Sequence, residues 1–227
     1  MARLTVHHLD NSRSQRVLWL LEELEVPYEL ELYERDPVTL RAPASLRKIH
    51  PLGKSPVVTL EDGTVLAESG AILETLVERY GNGRMRPAPG TEDEQRYRFF
   101  MHYAEGSLMP PLLVRFILDR LRKAPLPFFL RPVAKGIAGK IDSTFTEPEI
   151  ARHVAFLEGE LEGRQWLAGD EPTAADVQMS FPLEALLGRA AGVSAHPRIS
   201  GLVDRIHARP AYKRAIERGG PYDLNMG

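Results

Sequence analysis

Three short stretches of this sequence put polar groups where they could act on a ligand. Asn11-Ser12-Arg13-Ser14-Gln15-Arg16 stands between an apolar stretch and a helical pattern. A helix start offers unpaired N–H donors and a partial positive charge, which suit an anion, and a hydroxyl there can donate to it. Gly53-Lys54-Ser55-Pro56 comes just before the apolar run at Val57. A Ser-Pro bond adopts the cis form at low cost, and a cis bond leading into a strand would turn the Ser55 N–H and C=O toward an extended peptide. Glu68-Ser69 opens a further helical pattern. A hydroxyl and N–H at that position suit a carboxylate, while Glu68 would attract an ammonium. Those are the two charged groups of a free amino-acid end. Each stretch also has a purely structural reading: Ser12 and Ser69 as helix caps, Pro56 as a trans proline at the first position of a strand.

The elements that must hold these residues follow from periodicity. Leu4, Val6 and Leu9 mark a short strand, and Asp10-Asn11-Ser12 is a helix-start signal. Val17, Leu20, Leu21 and Leu24 form an amphipathic stripe that Pro27 stops, and Tyr28, Leu30 and Leu32 alternate with glutamates as a strand does. A proline-punctuated loop with a short helix near Pro43–Ile49 follows. Asp62-Gly63 between two apolar runs predicts a hairpin, and Ile72, Leu73, Leu76 and Tyr80 predict a helix. The order is β-α-β-(α)-β-β-α.

The stretch GNGRMRPAPGT, 81–91, has no periodicity. Beyond it the pattern is helical at 92–122, about 147–163, 173–190 and 198–209, with Pro125, Pro127 and Pro132 breaking the chain between the first two. The expected division is a small α/β domain at 1–82, a linker at 83–91 and an all-α domain at 92–227.

Composition narrows the chemistry. The 227 residues carry 29 Lys+Arg against 31 Asp+Glu, a net charge of -2 that argues against nucleic acid. No apolar run approaches the roughly 18–20 residues of a membrane span, and MARLTVHHLD lacks the apolar block of a secretory signal, so a cytoplasmic protein with no membrane partner is expected. There is no cysteine, which excludes disulfides, thiolate zinc sites and a protein thiol nucleophile. Lys48 stands where a P-loop needs glycine, Ala67 and Ala71 flank Ser69 where a hydrolase elbow needs glycines, and the seven histidines are scattered, so no metal is expected.

Ser12 followed by Arg16, Pro56 before a strand, and Glu68-Ser69 twelve residues on resemble a cytosolic glutathione transferase of the serine type. Gly169-Asp170-Glu171-Pro172-Thr173-Ala174-Ala175-Asp176 resembles that family's signature for a buried helix opened by a Thr-x-x-Asp capping box. The phrases His50-Pro51-Leu52-Gly53-Lys54-Ser55-Pro56 and Ala67-Glu68-Ser69-Gly70-Ala71-Ile72 are similar to a bacterial and fungal branch. The resemblance implies a thioredoxin-like domain followed by an all-α domain, paired as a homodimer. It also implies glutathione as cosubstrate, with no bound cofactor, and a hydrophobic electrophile as second substrate. Glutathione would pair with the Ser55 backbone beside a cis Pro56, with its γ-glutamyl end at Glu68 and Ser69 and its glycine end near Lys54. Ser12 would hydrogen-bond the sulfur, with Asn11 second and Arg13 third as rivals. One hydrogen bond to a charged group contributes about 1.5–3 kcal/mol. Against about 1.36 kcal/mol per pKa unit, that brings a thiol down by about 1–2 units from about 8.5. With no cysteine of its own, the chain must run any thiol chemistry on the glutathione sulfur. Disulfide or peroxide reduction on the same site, and a non-enzymatic ligand-binding role, are the alternatives. Tyr103, Met109, Leu112, Leu113 and Phe116 are either an electrophile wall or helical-domain core.

Overall fold

The computed structural model describes residues 3–36, 39, 41–189, 196–220 and 222. The ends of the expected domains, and residue 190 of the expected helix 173–190, lie outside the described residues.

The first unit runs β1 (Thr5–Leu9), α1 (Gln15–Leu24), β2 (Glu29–Tyr33), α2 (Leu46–Ile49), β3 (Val57–Thr59), β4 (Val65–Ala67), α3 (Ser69–Tyr80). This is the order expected from periodicity. The sheet is ordered β2-β1-β3-β4, with β1 parallel to β2 and antiparallel to β3, and β3 antiparallel to β4. The parallel pair needs the α1 crossover; the antiparallel pair needs only the Asp62-Gly63 turn, where Gly63 takes φ +84°. β2 lies at the sheet edge, which is why Leu32 stays exposed there. α1 buries Val17, Leu18, Trp19, Leu20, Leu21 and Leu24, and α3 buries Ile72, Leu73, Leu76 and Val77. The two helices pack on each other and on the sheet, giving a thioredoxin-like layer.

Two details differ from the sequence reading. Helix α1 starts at Gln15, after Ser14, so Asp10-Asn11-Ser12 lies before its first turn. It also ends at Leu24, because Glu25 takes the left-handed conformation (φ 57°) before Pro27 is reached.

The second unit is all helical: α4 (Glu92–Tyr103), α5 (Met109–Lys123), α6 (Arg131–Ile141), α7 (Glu147–Glu160), α8 (Ala174–Arg189), α9 (Pro197–Ala208) and α10 (Pro210–Gly219). A wide π-turn at Ala104–Leu108 interrupts what reads as one helix over 92–122, and another at Asp142–Thr146 joins α6 to α7. Helices α6 and α10 were not expected. Both begin with a proline in the first turn, Pro132 and Pro210, where the missing N–H costs nothing. Helix α8 packs against α4, α5 and α9 and also against α1 and α3, so it is shared by both units. The connection from Gly81 to Thr91 is tied down as well: the Met85 carbonyl accepts from the Ala174 N–H at 2.8 Å, and Arg84 Nη2 donates to the Leu24 carbonyl at 2.9 Å.

Candidate functional site

The C-terminal end of β1, the turn into α1 and the start of β3 meet in a chain of hydroxyls. Ser12 is only 5% exposed, and its Oγ accepts from the Ser14 N–H at 3.2 Å. Ser12 Oγ lies 2.7 Å from Ser14 Oγ and 3.4 Å from Ser55 Oγ. Ser14 Oγ in turn lies 2.9 Å from His8 Nδ1. Ser14 Oγ also donates to the Leu9 carbonyl at 3.3 Å, and the His8 ring hydrogen-bonds the Gly219 backbone as well. Burial pushes His8 down to about 4, so the ring is neutral at physiological pH. Ser14 Oγ can then accept from Ser12, and the Ser12 proton has Ser14, Ser55 or an arriving ligand as its target.

Alternation along β1 sends the neighbouring His7 the other way, as the sequence implies. It bonds Tyr33 and Thr59, each at 3.0 Å, and takes no part in the chain.

Beside the hydroxyls runs a charged cluster that crosses between the two units. Arg16, on the inward face of α1, is 1% exposed. Its Nη1 lies within hydrogen-bond distance of Ser69 Oγ (3.1 Å), Glu105 Oε1 (2.7 Å) and Gln178 Oε1 (3.1 Å). Arg13 Nε donates to the same Glu105 carboxylate at 3.0 and 3.2 Å. Both guanidiniums lie over the Phe181 ring, at 5.0 and 5.1 Å. Burial alone would raise the Glu105 carboxyl, but the two cations outweigh it and hold it below the usual carboxylate range. One carboxylate between two guanidiniums leaves a local excess of positive charge.

Ser69 opens α3 at the edge of this cluster, buried, its Oγ accepting from Arg16 and so left with a proton to donate. Glu68 precedes it with φ 70°, a left-handed conformation costly for a residue with a Cβ, and its side chain is exposed. The Ser55–Pro56 bond is cis, and Ser55 Oγ donates to the His7 carbonyl at 3.2 Å and accepts from the Leu9 N–H at 3.4 Å. Lys54 is exposed on the loop before β3. Asn11, at φ 46°, gives its carbonyl to Arg35 Nη2 at 3.2 Å.

Ser12 and Ser55 thus meet in one cluster, and Arg13 and Ser69 join a second through Glu105 and Arg16, while Asn11, Lys54 and Glu68 sit on the adjoining segments. Sequence reasoning missed His8, Ser14, Glu105 and Gln178. Arg16 carried a signal, a cation on the stripe that α1 buries, whereas Glu105 and Gln178 lie 89 and 162 residues from it. Of the five wall candidates, Tyr103, Met109 and Leu112 are buried in the core and Leu113 is exposed. Phe116 is half-buried. Among the described residues no cluster of His, Asp and Glu could hold a metal ion.

Comparison with known proteins identifies the family. Residues 12–79 match the glutathione S-transferase N-terminal domain and residues 133–210 its C-terminal domain. The chain is 33% identical to glutathione S-transferase 1 of Saccharomyces cerevisiae over 98% of both chains. It is 36% identical to glutathione S-transferase 3 of Schizosaccharomyces pombe, over 95% of this chain and 87% of that one. A glutathione S-transferase structure from Actinobacillus pleuropneumoniae superposes with a TM-score of 0.77 at 33% identity, covering 99% of this chain and 96% of the other. These full-length likenesses favour transfer over the reductase and non-enzymatic alternatives. The chain belongs to the glutathione S-transferase family and is a glutathione transferase.

Proposed function

We propose that this glutathione transferase is of the serine type and that Ser12 hydrogen-bonds the glutathione sulfur, favouring the thiolate that attacks an electrophilic small molecule. The observation that carries this is the buried hydroxyl cluster of Ser12, Ser14 and Ser55 beside His8. The Ser14 N–H occupies a lone pair of Ser12, and the Ser12 hydroxyl, directed to Ser55 Oγ at 3.4 Å, has a proton that can turn to sulfur. The start of α1 lies next to it and adds its partial positive charge. Arg13 is the weaker rival, because its charge is engaged by Glu105. Asn11 remains second through its amide.

Ser69, primed by Arg16, suits the γ-glutamyl carboxylate, and the exposed Glu68 suits its ammonium. Ser55 with Pro56 suits the cysteinyl portion, and Lys54 the glycine carboxylate. A homodimer is supported by Phe99, exposed on α4 and stacked on Tyr103 with ring centroids 5.3 Å apart. A cytoplasmic detoxifying role fits a chain without cysteine whose described helices include none long and apolar enough to cross a membrane.

The test is an ultraviolet titration of the thiolate of bound glutathione. Ser12→Ala is expected to raise its pKa by about 1–2 units and to lower kcat/KM for conjugation by a matching factor. If the pKa does not move in Ser12→Ala but rises in Asn11→Ala, the role belongs to Asn11.

A further inference from the structure

The hairpin of α5 and α6 bears a surface that the glutathione site does not use. From Arg120 to Ile141 the sequence holds six cations (Arg120, Arg122, Lys123, Arg131, Lys135 and Lys140) and no acid, although the whole chain has two more acids than bases; Arg122 is paired with Asp119 and Asp142, which flank the segment. The same segment is apolar on its outside. Phe128 and Phe129 at the hairpin tip are 81% and 63% exposed, their rings edge to face at 5.6 Å. Val133, Ile137 and Ile141 repeat every four residues along the outer face of α6, and Phe145 extends the row into the following π-turn. All four are exposed. The helix is held to the body by the neighbouring flank, where Ala138 is buried. Gly136 and Gly139 have open space where a Cβ would stand, so nothing crowds the outer side there.

Scattered exposed apolar residues are ordinary, but a continuous row headed by two phenylalanines is not. Its rim decides what suits it. A second copy docked on this face by two-fold symmetry would set these cations against their own images, which is repulsive. A surface that is apolar within and anionic at its boundary satisfies both features, and a short cationic amphipathic helix with Phe at its end is built to lie in such a plane. We propose that the α5–α6 hairpin docks this protein reversibly on an anionic lipid bilayer, with Phe128 and Phe129 entering the acyl boundary and Lys135 and Lys140 among the phosphates. Among the described residues no helix is long and apolar enough to cross a membrane, which does not speak to a helix lying in the plane of the surface.

The test is flotation of the full chain with vesicles of phosphatidylcholine alone and of phosphatidylcholine mixed with phosphatidylserine. The wild type is expected to float with the mixed vesicles only, and less at high salt. Phe128→Ser with Phe129→Ser, and separately Lys135→Glu with Lys140→Glu, are each expected to weaken partition by about tenfold or more. Conjugating activity in solution, unchanged in both, shows that the variants fold. No flotation of the wild type, or flotation that neither pair alters, overturns the proposal. So does a wild type that stays off vesicles while the serine pair changes its mass in solution, which would make the face a contact between copies.

Discussion

His8 and Ser14 back the proposed nucleophile site: His8 Nδ1 lies 2.9 Å from Ser14 Oγ, which lies 2.7 Å from Ser12 Oγ and donates to the Leu9 carbonyl at 3.3 Å. Phe at position 8 removes that ring nitrogen, and Asn keeps a polar group near its place. Bound glutathione is therefore expected to show a raised thiol pKa in His8→Phe and a nearly normal one in His8→Asn; equal shifts in both would mean that His8 only fills space. The ring also leaves a mark on stability. Burial holds it neutral to about pH 4, whereas an unfolded histidine takes up its proton near 6.5. The unfolded chain binds more protons between those values, so stability is full above pH 6.5 and falls by about 3 kcal/mol as pH drops to 4. Urea unfolding at several pH values should show this loss in the wild type and a shallower one in His8→Asn. The sequence made Ser12, Ser55 and Ser69 legible because each stands at the start of an element, where local rules apply. Glu105 was not legible, since its role exists only once the π-turn after α4 is brought beside α1.

Among the elements, α8 depends most on a single side chain. Asp176 accepts from the Leu167 N–H at 2.9 Å, the Thr173 N–H at 2.8 Å and the Thr173 hydroxyl at 3.0 Å, all buried. The Thr173-x-x-Asp176 spacing announced this cap from sequence alone. Burial raises its carboxyl to about 6 in spite of those donors. Between about pH 4 and 6 the folded state therefore binds the extra proton, and this residue opposes the trend set by His8. Asp176→Ala strands two buried N–H groups and is expected to cost about 2–4 kcal/mol, read as a fall in the denaturation midpoint. A loss within error would mean that the segment before α8 finds other partners. Helix α6 escapes the sequence reading because Pro132 reads as a break, yet proline in a first turn starts a helix as readily as it ends one, and only what the next residues pack against distinguishes the two.

At the scale of the molecule, the two units are joined too thoroughly to unfold apart. α10, the last helix among the described residues, lies along α1 of the first unit, with Tyr212 edge-on to Trp19 at 5.6 Å. Arg209 is paired with Glu23, and Arg214 and Arg218 with Glu22. Trp19 reports on the thioredoxin-like unit and Trp166 on the helical one. Trp19→Phe and Trp166→Phe, each leaving one emitter, should therefore track the same midpoint as circular dichroism within the same variant. Separate midpoints would show that the contact is too weak to couple the units. The loss of periodicity over 81–91 is visible in the sequence, whereas the packing of α10 on α1 is not.

The π-turn at Ala104–Leu108 gives Glu105 its place and carries a further consequence. A wide turn spends about one residue more than an α-turn, so it shifts the helical phase of everything after it by roughly 100°. Upstream of that shift, Tyr97, Phe100 and Met101 face the core; downstream, Leu108, Leu112 and Leu118 do. The inserted residue is what lets both stripes point inward while one carboxylate between them reaches two arginines of the other unit. Sequences aligned to this one should therefore be compared across 104–108 with a gap permitted. A relative lacking one residue there would keep a continuous helix and present a different side chain to Arg13 and Arg16.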